Sequence, residues 1–160
     1  MTLILGIDPG SRITGYGIIK ETKHQLHYVD SGCIRTSIGA LDQRLLQIFE
    51  GISHLMQTYN PNEVAIEQVF LYKNPNAALK LGHARGVAMV ACAAHNVTMS
   101  EYSPRAIKQS VVGYGAAEKI QVQRMVVNLL MLTRSPQPDA ADALAVAICH
   151  SHSNLLRRLR

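Results

Sequence analysis

The stretch T-L-I-L-G-I-D-P-G-S-R-I-T-G-Y-G-I-I-K, residues 2–20, decides the fold. Thr2 to Ile7 is almost continuously apolar and β-rich, the pattern of a strand buried on both faces. Asp8 ends it. Asp8-Pro9-Gly10-Ser11 is a turn. Thr14 to Lys20 reads as a second strand with Gly15 and Gly17 inside it, and Leu26 to Arg35 as a third. The short turns between the three predict an antiparallel meander.

Beyond the meander, helix and strand alternate. Leu41, Leu45, Ile48, Phe49, Ile52 and Leu55 fall at helical spacing over 40–59, and Asn60-Pro61-Asn62 stops that helix. Glu63 to Val69 is a fourth strand. Residues 76–95 form a helix crowded with Ala and Gly. Val97 to Tyr102 is a fifth strand. Ser103-Pro104 opens a short helix through Val112. Residues 117–132 are helical, and Ser135-Pro136-Gln137-Pro138 breaks the chain before a last helix from Asp139 to about Leu156. This order predicts an α/β domain with a five-stranded mixed sheet flanked by helices over residues 1–153, then a short basic tail, 154–160.

Composition narrows the function. The chain has 160 residues, 48% of them apolar, a size and balance suited to one folded domain. Its longest apolar run, Val87 to Ala94, is far short of the about 20 residues of a membrane span, and no membrane partner is expected. The first residues lack the basic start of a secretory signal. Cys33, Cys92 and Cys149 form no C-x-x-C pair; buried free thiols and a cytoplasmic location are expected. Lys and Arg number 16 against 11 Asp and Glu, a net charge of +5. Such a surplus suits an acidic partner such as nucleic acid.

The few carboxylates fall at telling places. Asp8 and Glu67 end apolar strands, at the carboxyl edge where α/β ligand sites form. A carboxylate there is costly unless it is paired or binds a metal. Asp139 and Asp142, spaced i, i+3, share one face of the last helix among Ala140, Ala141 and Ala143. Taken singly, Asp139 is also a favoured helix-start residue and Asp8 a turn former. Together, four acids without a cysteine–histidine set point to oxygen ligation of Mg²⁺ or Mn²⁺. Two such ions about 3.5–4 Å apart would clamp the attacking and leaving oxygens of a phosphodiester.

At these residues the chain resembles the RuvC family of Holliday-junction endonucleases, which have a ribonuclease H-like fold. The resemblance rests on G-I-D-P-G-S-R-I-T-G-Y-G (6–17), S-G-C-I-R-T (31–36), A-I-E-Q-V-F (65–70), A-L-K-L-G-H-A-R-G-V (78–87), K-Q-S-V-V-G-Y-G-A-A-E-K (108–119) and D-A-A-D-A-L-A-V-A-I (139–148). It implies that Asp8, Glu67, Asp139 and Asp142 are metal ligands, that Lys108 and Lys119 are essential lysines near the scissile backbone, and that Phe70 contacts bases at the junction. Lys73 and Arg85 are further expected DNA contacts. It also implies a homodimer built on the small-residue helix, a four-way junction as substrate, and a branch-migration motor of RuvA and RuvB family proteins as partner. The expected cofactor is Mg²⁺, two ions per subunit, with Mn²⁺ as a substitute.

The expected reaction is in-line attack by a metal-activated water, giving two symmetric nicks with 5′-phosphate and 3′-hydroxyl ends in recombination and repair. Without the resemblance, Lys108 and Lys119 read as solvated lysines, Phe70 as a core residue, and the Ala/Gly helix as one packed on its own sheet. His150 and His152 read as structural or surface residues. Three rival functions fit the sequence less well. An actin-like phosphotransferase needs a second domain that 160 residues do not hold. An RNA nuclease of the YqgF type is typically shorter and lacks the K-Q-S-V-V-G…A-E-K block. A non-catalytic junction binder would not need all four acids.

Overall fold

The computed structural model describes residues 1–23, 25–69 and 74–158, with side chains through Leu156. Three strands open the chain: β1 (Thr2–Asp8), β2 (Ile13–Thr22) and β3 (Gln25–Arg35). Then come α1 (Leu41–Tyr59), β4 (Glu63–Glu67), α2 (Pro75–Ala93) and β5 (Met99–Tyr102). Three helices close it: α3 (Pro104–Val112), α4 (Lys119–Leu129) and α5 (Pro138–Arg158). The five strands form one sheet in the order β3-β2-β1-β4-β5. The meander is antiparallel, as expected, while β4 and β5 run parallel to β1. The mixed sheet flanked by helices is therefore as the sequence predicts.

Strand alternation sorts the core into two layers. Leu5, Ile7, Ile18, Val64 and Ile66 pack with α1 and α2 on one face. Ile4, Ile19 and Ala65 pack with α3, α4 and α5 on the other. Helix α5 supplies the largest single share of the second layer, with Ala140 through Cys149 nearly all buried.

That helix lies unusually close to the sheet. Gly6 pairs with Gly17, and Asp8 with Gly15, across β1 and β2. A Cβ on Gly15 would fall on the carbonyl oxygen of Asp139, and one on Gly6 on that of Ala143. A Cβ on Gly17 would lie 2.7 Å from Leu144. The glycines inside β2 thus form a bare track that admits the α5 backbone.

Some element ends differ from the sequence reading. Helix α4 starts at Lys119 because Glu118 is extended as its N-cap, its N–H donating to Gln121 Oε1 at 2.8 Å. Its far end is cut short where Met131 turns left-handed. Strand β4 ends at Glu67, and β5 begins only after the turn at Asn96. Helix α5 continues through Arg158, so most of the expected basic tail is helical. Asn154 there donates to Glu63 Oε2 at 2.7 Å, tying the helix end to the start of β4.

The glycine track makes a stability prediction. Gly17→Ala should lose about 1–3 kcal/mol through overpacking against α5, read by urea unfolding. Gly39→Ala, where a Cβ meets nothing, should stay within about 0.5 kcal/mol of the parent.

Candidate active site

Parallel pairing brings the first two acids together. Ile4 lies opposite Glu63 and Gly6 opposite Ala65. Two residues further on, Asp8 and Glu67 leave the sheet side by side on the α5 face. Their carboxyl groups are hydrogen-bonded to each other. Helix α5 starts at Pro138, which puts Asp139 and Asp142 on its first turns. One carboxylate oxygen each from Asp8, Asp139 and Asp142 lie within 4.8 Å of one another. The structure therefore brings all four predicted acids to one place: three in the tight group, and Glu67 through its bond to Asp8.

Burial makes this cluster electrostatically expensive. Asp8 is pushed up from the ordinary carboxylate range to about 8, chiefly by burial and then by the charges of Glu67 and Asp142. Burial also raises Glu67 and Asp142. For Asp142 the rise is opposed by Lys119, whose Nζ lies 2.6 Å from Asp142 Oδ2. That contact raises the lysine in turn. A cation at a helix N-terminus is disfavoured by the helix dipole. Asp142 offsets that cost and aims Lys119 at the acids.

Lys108 reaches the same place from α3, whose first turn is capped by Ser103 Oγ accepting from Ala106 N–H at 3.1 Å. Asp8, Glu67, Asp142, Lys108 and Lys119 line one cavity of about 320 Å³. A smaller cleft of about 160 Å³ adjoins it, lined by Asp8, Glu67, Gln68 and Leu81 among others. The two lysines, which residue chemistry alone reads as surface groups, thus face the carboxylates.

The remaining sequence candidates fall elsewhere. Phe70 and Lys73 lie outside the described residues. Arg85, expected at the DNA, turns inward: its Nε donates to the Glu67 carbonyl at 3.1 Å and its guanidinium pairs with Glu101. It braces the end of β4 against α2. Sequence reasoning missed Gln123, which hydrogen-bonds Asp142 from α4. It noted Gly15 and Gly17 without seeing that they let Asp139 approach. Glycine inside a strand is the signal that marks such an approach.

The donor set fits a hard divalent cation. All ligand candidates are carboxylate oxygens, and buried negative charge in this excess calls for more compensation than Lys119 gives. His150 is buried instead in a separate network, with Tyr102 Oη 2.9 Å from Nδ1 and Glu63 Oε2 2.7 Å from Nε2. It has the structural place the sequence suggested.

Comparison with known proteins agrees with this geometry. The family model described as crossover junction endodeoxyribonuclease RuvC matches residues 4–150. A crossover junction endodeoxyribonuclease RuvC of Legionella pneumophila (strain Corby) is 69% identical over 153 residues, covering 95% of this chain and 88% of that protein. The protein of the same description from Histophilus somni (strain 129Pt) is 61% identical over 153 residues, covering 96% and 81%. The structure of Thermus thermophilus RuvC in complex with a Holliday junction substrate matches with a TM-score of 0.91 at 29% identity, covering 98% of this chain and 97% of that one. With its carboxylates gathered at the carboxyl edge of a β3-β2-β1-β4-β5 sheet, and with relatives matched along nearly its whole length, this chain belongs to the RuvC family of crossover junction endodeoxyribonucleases.

Proposed function

We propose that this protein resolves four-way DNA junctions by hydrolysing one phosphodiester in each of two symmetric strands. The observation that carries this reading is the meeting of Asp8, Asp139 and Asp142 oxygens within 4.8 Å, with Glu67 bonded to Asp8. These four carboxylates would hold Mg²⁺, two ions per subunit, with Mn²⁺ as a substitute. The bound metal supplies positive charge that activates water and stabilises the leaving 3′-oxygen. Asp8, on the strand end between the helical pair and Glu67, anchors the cage.

Lys119 and Lys108 carry the chain's own share of electrostatic catalysis. Both line the carboxylate cavity, so their ammonium groups meet a phosphate that enters it. Positioned cations there stabilise charge developing on the phosphoryl oxygens. Lys119 reaches from its contact on Asp142 to that phosphate. Phe70 and Lys73 follow Glu67 in sequence; Phe70 stacks on unpaired bases at the branch and Lys73 meets the backbone. Most affinity comes from phosphate contacts and junction shape.

Two symmetric nicks need two sites, which a homodimer provides. Helix α2 supports this. Ala84, Ala88, Ala91 and Cys92 bury one side against the sheet. On its other side Leu79 and Val90 are each 61% exposed, and a Cβ on Gly82 or Gly86 meets nothing. A second copy packed there buries this apolar, small-residue face. A branch-migration complex of RuvA and RuvB family proteins delivers the junction, and the enzyme acts in the cytoplasm in recombination and repair.

Incubation with a labelled mobile junction and Mg²⁺ should give ligatable nicked duplexes. Asp8→Asn, Glu67→Gln and Asp142→Asn should each lower cleavage at least 100-fold with junction binding kept. Cleavage of linear RNA in preference, or no metal-dependent cutting of branched DNA, would overturn the reading.

The raised Asp8 carboxyl sets a pH dependence. Below its ordinary value of 3.8 the group is neutral in both folded and unfolded chains. Above it, the unfolded chain ionises freely while the folded protein holds the proton up to about 8. In chelator, the Asp8 contribution to stability should therefore fall as pH rises from about 4 to about 8 and then level off. The difference between parent and Asp8→Asn in urea unfolding across that range reads it, and Mg²⁺ at pH 8 should reverse the loss.

The α2 face gives a third test. Val90→Glu should convert a sedimenting dimer to a monomer without changing the circular dichroism spectrum.

A further inference from the structure

A second cavity, of about 740 Å³, plays no part in the site above. It is a groove between the edge strand β3 and the link from α4 to α5. Neither Lys108 nor Lys119 lines it; both line the separate carboxylate cavity. Ala140 lines it, directly after Asp139 in the first turn of α5. Cys33 also lines it, close enough to Asp139 to feel its charge. The groove therefore continues the active site across β2 toward the sheet edge.

Its chemistry suits a phosphate chain. Arg35 and Arg134 line it together with the hydroxyl-bearing Ser31, Thr133 and Ser135, and no described lining residue is acidic. Both arginines are exposed, and Arg35 is held in place by donating to Gln137 Oε1 at 2.8 Å. The one acid in β3, Asp30, faces the opposite layer, where it accepts from the Tyr16 and Tyr59 hydroxyls at 3.2 and 2.6 Å. A register shift beside Ile18 and Ile19 in the β2–β3 pairing accompanies this arrangement. A groove that sets these cations and hydroxyls beside Leu26, Leu130, Met131 and Leu132, with no carboxylate among its described lining, suits a polyanion along its length. An isolated small anion would need only a fraction of it.

We propose that this groove holds the sugar-phosphate backbone of a junction arm, on the far side of the cut from Lys108 and Lys119, with Arg35 and Arg134 on successive phosphates. The inference rests on the junction-cleaving reading and adds the path of the duplex arm. Hydrogen bonds and charge directed at phosphates there give affinity without reading the base sequence. It also gives the +5 surplus a definite place to act.

The test is junction binding and cleavage by the full-length protein with Arg35→Gln and Arg134→Gln combined, and separately with Thr133→Glu, which puts a negative charge at an exposed lining position. The double variant should weaken junction binding several-fold at physiological salt. It should lower the slope of log K against log salt by about 2, one for each lost phosphate contact. Thr133→Glu should weaken binding similarly. Cleavage at limiting protein should fall in step with binding for both variants. If the parent cuts the junction while both variants match it in affinity and salt slope, the groove is not the arm's path. If the variants bind and cut normally but lose stimulation by branch-migration proteins, the groove binds protein and the proposal is overturned. A parent that cuts no junction removes the reading beneath it as well.

Discussion

Helix α5 rests its backbone, more than its side chains, on β1 and β2. Gly6, Gly15 and Gly17 leave no Cβ between the two, so the carbonyls of Asp139 and Ala143 lie where ordinary strands carry side chains. An α-helix usually packs on a sheet at the distance its side chains set. Here that spacer is missing along one track, and the helix start drops to the level of the strand end. Asp139 and Asp142 can meet Asp8 only because of that drop. The Ala-rich sequence of α5 serves the same end, since larger residues at 140, 141 and 143 would lift the helix away.

The spacing of the acids follows from two main-chain rulers. Neighbouring strands lie about 4.8 Å apart, which sets the separation of the Asp8 and Glu67 positions. Three residues of helix rise about 4.5 Å, which sets that of Asp139 and Asp142. Both rulers are fixed by backbone hydrogen bonds and do not depend on rotamers of distant residues. The lysines are placed by a different device. Each projects from a short helix whose start is held by a cap, Ser103 for α3 and Glu118 for α4. Arg85 adds a third support, holding the Glu67 carbonyl from α2.

Much of this is legible in the sequence, for identifiable reasons. The apolar runs 2–7 and 63–67 announce buried strands, and an acid at the end of each stands out against them. The i, i+3 pair in an alanine background marks a helix face with space beside it. The antiparallel meander is legible in its short turns, and the mixed sheet in the alternation of later elements, whereas the place of β4 and β5 beside β1 comes only from the folded chain. Arg85 was not legible as a brace, because a sequence does not show that its guanidinium finds Glu101 and a strand carbonyl. Lys119 and Lys108 needed the family resemblance, since a lysine on a short helix carries no local sign of what lies opposite. The groove beside β3 was invisible for the same reason: Arg35 and Arg134 are far apart in the chain and meet only across the sheet edge.

The dependence on α5 also orders the assembly of the molecule in time. The strand ends bearing Asp8 and Glu67 and the helices bearing the lysines all precede it in the chain, and the meander pairs through local contacts that form early. The acids of α5 come last and must close on a residue near the opposite end of the sequence. Until that docking is complete, the cage lacks half its carboxylates. A nascent or partly unfolded chain thus carries the basic surface that attracts DNA without the centre that could cut it, and the capacity to break a strand arises only with the finished fold.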